Sequence, residues 1–237
     1  MASSSTITSS PPHTSIYASL TLMVLMLCSA NSLVGAADED PLQDFCVANL
    51  GSDTPINGYI CKATETVTVS DFTSTALRSS AQFNAALGAA VNLATVEVFP
   101  GLNTLGLSIA RLDFQPDGLN TPHVHPRASE ALYLAEGTLM VAFLSAAPNY
   151  TLFQTTLQPG DLFVFPRGLV HYQINPDHEK PARAIAALGS QNPGREDVAA
   201  VMFGSKPHIP DEVLEKAFGV DKATVNALRK GVAPTVG

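Results

Sequence analysis

A chain of 237 residues with a net charge of −8 is long enough for one or two domains. It is too acidic for nucleic acid, which needs clustered Lys and Arg against phosphate, and it offers no basic patch to an anionic membrane. Charged residues make up 14% of it and apolar residues 46%, with no tryptophan, proportions that suit a compact β-rich protein with a sizeable core.

Residues 1–36 read as a secretory signal peptide. Residues 20–28 form an apolar core too short to span a bilayer, and Val34-Gly35-Ala36 is a small-residue cleavage site before Ala37. No Lys or Arg precedes that core, only His13, so a membrane anchor is the competing reading. Cleavage removes Cys28 and leaves Cys46 and Cys61. In a secreted chain these read as one disulfide, whose short loop stabilises by roughly 3 kcal/mol in the chain-entropy model. Two buried free thiols are the alternative. Residues 37–70 then form a loop-rich arm pinned by the bridge and broken by Pro41, Pro55 and the Asn57-Gly58 turn. Residues 71–91 are rich in Ser, Thr and Ala with weak helical periodicity, and receive no element.

From Leu93 the pattern changes to short strands, predicted at 94–99, 107–114, 131–134, 138–144, 152–157, 162–165, 170–174 and 182–187, with Gly, Pro and Asn in most gaps. Glu136-Gly137 between two apolar runs predicts a hairpin. Asn149-Tyr150-Thr151 is the only N-glycosylation sequon, beside Pro148 in what reads as an exposed turn. Strands this short and regular predict an all-β sandwich or barrel over residues 71–205. Residues 206–237 predict two short helices, at 211–218 and 221–230, each opening on Asp as N-cap and followed by Gly219 or Gly231. Val213, Leu214, Ala217 and Phe218 would form an apolar stripe on the first.

Chemistry concentrates in two segments. One carries His123, His125 and Glu130; the other carries His171 after the Pro166-Arg167-Gly168 turn. Side chains alternate faces along a strand, so His123 and His125 point the same way and can reach one ion. Glu130 follows a short turn and can enter from the adjacent strand. His-x-His alone is often no more than a polar strand face, and a single Glu is usually a surface carboxylate. Of the six histidines, however, His13 falls in the leader and three of the others fall in these two patterned segments. His178 and His208 have no partners at useful spacing and read as exposed loop residues. Neutral imidazoles with a hard carboxylate suit Mn(II), and also Fe(II), Zn(II) or Cu(II).

These segments closely resemble the two boxes of the germin and germin-like branch of the cupin superfamily. His123, His125, Glu130 and Gly137 match the first box, although its opening Gly is Asp117 here, with Gly118 one place later. Gly160, Pro166, Gly168, His171 and Asn175 match the second in full. Residues 40–48, 99–106, 190–194 and 203–207 look germin-like as well. The resemblance implies a cupin jelly-roll β-barrel with a short C-terminal helical extension, binding manganese through His123, His125, Glu130 and His171. It implies an extracellular (apoplast or cell-wall) homohexamer, a trimer of dimers whose C-terminal helices pack across subunits. It also associates such a site with superoxide dismutation or, as the alternative, oxalate oxidation. For oxalate, Asn103 and Asn120 would be the amides that hydrogen-bond the substrate. A third reading is an extracellular binding protein whose metal is structural.

Overall fold

The computed structural model describes residues 46–52 and 58–232. The expected signal peptide, its cleavage site, Cys28 and residues 37–45 of the arm lie outside the described residues. The strands are β1 (Ala89–Ala94), β2 (Ser108–Phe114), β3 (Leu119–Val124), β4 (Glu130–Glu136), β5 (Leu139–Leu144), β6 (Leu152–Leu157), β7 (Leu162–Phe165), β8 (His171–Ile174), β9 (Ala182–Leu188) and β10 (Glu196–Asp197). They form two five-stranded sheets in the orders β1-β2-β9-β4-β7 and β10-β3-β8-β5-β6. Every pairing is antiparallel. This is a jelly-roll sandwich of two separate sheets rather than one continuous closed barrel. Leu112, Leu132 and Ala184 of the first sheet and Leu139, Val141 and Leu157 of the second share one buried core.

Most predicted strands occur within a residue or two of their expected limits. The strand predicted at 94–99 does not form. Val96-Glu97-Val98 alternates like a strand but folds as a turn, in which the Thr95 carbonyl accepts from the amides of Val98 (3.0 Å) and Phe99 (2.8 Å). The real edge strand, β1, comes just before it and pairs with β2 from Ala89↔Phe114 to Ala94↔Ile109. Its alanine-rich sequence has little intrinsic preference for a strand, and pairing and burial decide the outcome.

The predicted hairpin at Glu136-Gly137 is also replaced. β4 pairs with β7 and β9, whereas β5 pairs with β6 and β8, so this turn carries the chain from one sheet to the other. Gly137 has a left-handed φ of 80°, and a Cβ there would lie 2.4 Å from the Pro181 carbonyl oxygen. Only glycine allows both. Asp117, standing where the first box expects Gly, adopts φ 60° itself and bonds the His178 ring (2.7 Å). Asn175, the last residue of the second box, is fully buried and ties this corner together, donating to the carbonyls of Gln115 (3.0 Å) and Lys180 (2.7 Å).

After β10 the chain forms α1 (Val198–Phe203), α2 (Asp211–Phe218) and α3 (Lys222–Gly231). Helix α1 was not expected, because Val-Ala-Ala-Val-Met-Phe is too short for its period to declare itself. Pro210, not Asp211, caps α2; Asp211 instead pairs with Arg229 and with Lys222 (3.0 Å) of the neighbouring helix. Asp221 does cap α3, accepting from the Thr224 amide (2.8 Å), and Gly219 ends α2 in the left-handed region. Gly231 lies within the last turn of α3 rather than beyond it. Phe203, Leu214 and Val225 make a small second core, while Val213 and Phe218 of the expected stripe remain about half exposed.

Candidate metal centre

Two sheets contribute to the site. His123 on β3 and His171 on β8 are direct cross-strand partners, and His125 follows one residue after the end of β3. Glu130 is the first residue of β4, in the other sheet. It therefore faces the histidines across the sandwich rather than entering from an adjacent strand as expected. The pairing of β3 with β8 shifts register between Asn120 and His123. Strict alternation would put residues three apart on opposite faces; the irregularity lets both point inward, and both are 1% exposed.

Each ring is held from behind by the main chain. The Nδ1 atoms of His123, His171 and His125 lie 2.7, 2.8 and 2.5 Å from the carbonyl oxygens of Thr121, Leu169 and Gly194. A carbonyl can only accept, so each Nδ1 carries a proton and each Nε2 is the atom left to face an ion. Phe165 stacks on the His171 ring with centroids 4.6 Å apart, which fixes its plane further. The Glu130 carboxylate sits 3.1 Å from His125 Nε2 and 3.6 Å from His171 Nε2. The four donor atoms lie within 4.8 Å of one another, and all four residues are buried. His171 Nε2 has no hydrogen-bond partner among the described residues. A buried orphan beside convergent imidazoles and a carboxylate is the arrangement a metal ion satisfies.

The electrostatics agree. Burial disfavours the charged form of His123 and pushes its pKa well below the usual 6.5; the Arg195 charge, then His171 and His125, add to this. Burial would raise the Glu130 carboxyl, but the adjoining His125 and His171 rings hold it down at about 2. A neutral imidazole and an ionised carboxylate are the protonation states that ligation requires.

The cluster forms part of the wall of a cavity of about 100 Å³. Val91, Leu93, Ala110, Leu112 and Leu188 make an aliphatic wall from β1, β2 and β9, while Asn120 and Arg195 join the ligands on the polar side. Asn120 donates to Gln173 Oε1 (2.7 Å) and accepts from Arg195 Nη2 (2.9 Å). Asn103 is elsewhere. It is fully buried, but it donates to the Tyr59 carbonyl (2.9 Å) and lies 3.3 Å from Cys46 Sγ, beside the Cys46–Cys61 disulfide, and it does not line the cavity. The structure therefore brings Asn120, but not Asn103, to the metal ligands. Arg195 was missed by sequence reasoning. Its signal was the Arg-x-Asp spacing after Pro193-Gly194, which becomes legible only once that loop is seen to run beside His125. His178 and His208 are exposed as expected, and Asn149 sits in an exposed turn between β5 and β6.

The cupin family model matches residues 74–226. Germin-like protein 8-6 of Oryza sativa subsp. japonica is 48% identical over 211 residues, covering 89% of this chain and 94% of that protein. The chain belongs to the cupin family, among the germin-like proteins. Germin-like protein 8-9 of the same organism is 51% identical across 82% of this germin-like chain and 87% of its own length. Among solved structures, an oxalate oxidase in complex with the substrate analogue glycolate superposes with a TM-score of 0.78 at 39% identity, covering 82% of this chain and 97% of that one. Peruvianin-I, described as a cysteine peptidase from Thevetia peruviana latex, gives 0.64 at 39% identity over 68% of this chain and 98% of its own. In the germin-like chain both cysteines among the described residues are joined to each other, which leaves no thiol nucleophile there.

Proposed function

We propose that this germin-like protein is a secreted manganese-dependent superoxide dismutase that releases hydrogen peroxide outside the cell, in the apoplast or cell wall. The observation that carries the reading is the set of three main-chain-braced imidazoles and one ionised carboxylate, of which His123, His125 and Glu130 line a small cavity. Octahedral manganese held by His123, His125, Glu130 and His171 would keep about two positions for small molecules and supply one-electron redox exchange. The protein's own part is to hold the four donors in place, to keep Glu130 ionised and His123 neutral, and to shield the site with the aliphatic wall. Purified, manganese-loaded protein should consume superoxide above the rate of free manganese; no metal-dependent consumption overturns the reading.

Oxalate oxidation is the second reading, favoured by the 39% identity to an oxalate oxidase across most of both chains and by Asn120 at the cavity. The position of Asn103 beside the disulfide removes one of the two amides expected to hold oxalate. Peroxide release from oxalate at acidic and neutral pH tests it. If bound metal neither exchanges water nor changes oxidation state, a non-enzymatic extracellular binding protein with a structural metal replaces both readings.

Secretion rests on the leader sequence, and N-terminal sequencing of protein from culture medium should begin at Ala37. Glycosylation at Asn149 is supported by its exposed turn and is read as a mass shift removed by Asn149→Gln. A homohexamer is supported by apolar side chains left exposed at Leu162, Val164, Val213 and Phe218. A monomeric mass in sedimentation at micromolar concentration overturns it.

A further inference from the structure

We infer that Arg195 is the residue that makes this cavity select small anions. The inference rests on the reading of the cluster as a metal site that takes a small anionic substrate, and it names the group that recognises the charge. β10 pairs with β3 at Glu196↔Val124 and Asp197↔His123, so the segment entering β10 runs along the metal ligands. Gly194 of that segment braces His125 through its carbonyl, and Arg195, the next residue, lines the cavity together with His123, His125 and Asn120.

The guanidinium is fixed rather than free. Its Nε and Nη2 hold the two carboxylate oxygens of Asp197 at 2.8 and 2.6 Å, and Nη2 also reaches Asn120 Oδ1 at 2.9 Å. Nη1 takes part in none of these contacts. A fork already immobilised loses little freedom when it binds a further oxygen. The ion pair is also polarised. Asp197 lines a separate groove with Thr121, Pro122 and α1, whereas Arg195 lines the cavity, so the positive end of the pair faces the metal ligands. Across from it the wall is aliphatic, which leaves the field of one guanidinium poorly screened. Among the described residues, the other formal charge lining this cavity is the Glu130 carboxylate, which would repel an anion and which is turned toward His125 and His171. Arg195, which bonds Asn120 rather than the ligands, offsets that repulsion.

The test is calorimetric binding of formate, with formamide as its neutral counterpart, to the metal-loaded full chain and to Arg195→Gln, Arg195→Lys and Asp197→Asn, each checked for metal content and thermal midpoint. Formate affinity should fall about tenfold or more in Arg195→Gln, the scale of one lost charge-assisted contact. It should stay within a few fold in Arg195→Lys and rise in Asp197→Asn, where the countercharge is gone; formamide should bind weakly and alike to all four proteins. Equal formate affinity in Arg195→Gln and the parent at matched metal content overturns the inference, and so does a fall in Asp197→Asn. If Arg195→Gln does not fold or load, the rise expected for Asp197→Asn against near-parent affinity in Arg195→Lys still decides. Superoxide is not part of the measurement. A protein that binds formate through Arg195 yet fails to dismutate superoxide keeps this inference and loses the proposed activity.

Discussion

The two walls of the cavity are built on opposite principles. The wall from β3 and the segment entering β10 carries His123, Asn120 and Arg195, backed by His171 and Gln173 of the neighbouring β8, and almost every polar atom on it is paired or braced. The wall from β1, β2 and β9 carries Val91, Leu93, Ala110, Leu112 and Leu188 and offers no hydrogen bond at all. Glu130 is the one ligand that reaches from the first sheet, β1-β2-β9-β4-β7, to the second. Chemistry thus resides on one sheet, while its partner sets the space, the dielectric and most of the packing. A charge or ligand changed on the polar wall should alter binding with modest effect on folding, and a methyl group removed from the aliphatic wall should do the reverse.

The largest effect should come from His171→Ala. With one of four donors gone, metal affinity should drop by about 100-fold or more, at least the loss seen when mere supporting contacts of ligands are removed. Metal analysis after dialysis reads that loss, and the proposed redox activity should vanish with it; retained stoichiometric metal would break the division of labour. Leu112→Ala probes the other wall. It should cost about 2–5 kcal/mol in denaturant unfolding, as buried Leu→Ala changes do, while metal still binds. Loss of metal at unchanged stability would invert the comparison.

Acidification separates the two walls in a third way, because only one of them titrates. His123 has a folded pKa below its unfolded value, so its contribution is complete above about pH 6.5 and is lost as pH falls toward the folded pKa. Glu130 is depressed too, so its contribution is present above about pH 4.5 and drains away toward about 2. The denaturation midpoint of metal-free protein should therefore fall in two stages, below pH 6.5 and again below pH 4.5. Bound metal should steepen the first stage, since protons compete for the same nitrogens. A midpoint that rises on acidification would contradict both directions. The smallest effect should come from Asn103→Ala, which belongs to neither wall. It should cost about 1 kcal/mol, the net value of a buried hydrogen bond, and leave metal content and turnover unchanged.

The ligand set was legible in the sequence because it is local: His123 and His125 stand just before one short turn and Glu130 just after it, and His171 follows a Pro-x-Gly corner. What was not legible depends on long-range pairing. Glu130 was placed on an adjacent strand because nothing local reveals that Gly137 passes the chain to the other sheet. β1 was missed because Ala-Ala-Val-Asn-Leu-Ala becomes a strand only against β2, while the more strand-like Val96-Glu97-Val98 turns. Asn103 and Asn120 look alike in sequence as loop amides, yet burial sends one to the disulfide and the other to the cavity. Arg195 lies some seventy residues from the ligands it flanks, a separation that no spacing rule bridges.

The braces behind the three imidazoles come from the carbonyls of Thr121, Leu169 and Gly194, which are main-chain atoms. No side-chain replacement can delete a carbonyl. The orientation of the ligands is thus inherited with the path of the backbone, and it survives any sequence drift that leaves that path intact. The aliphatic wall has no such protection, and each change of residue there reshapes the space in front of the ion. A lineage built on this scaffold can therefore conserve its metal while its substrates diverge, with new specificities arising by changes at positions such as Ala110 and Leu188 and not among the histidines.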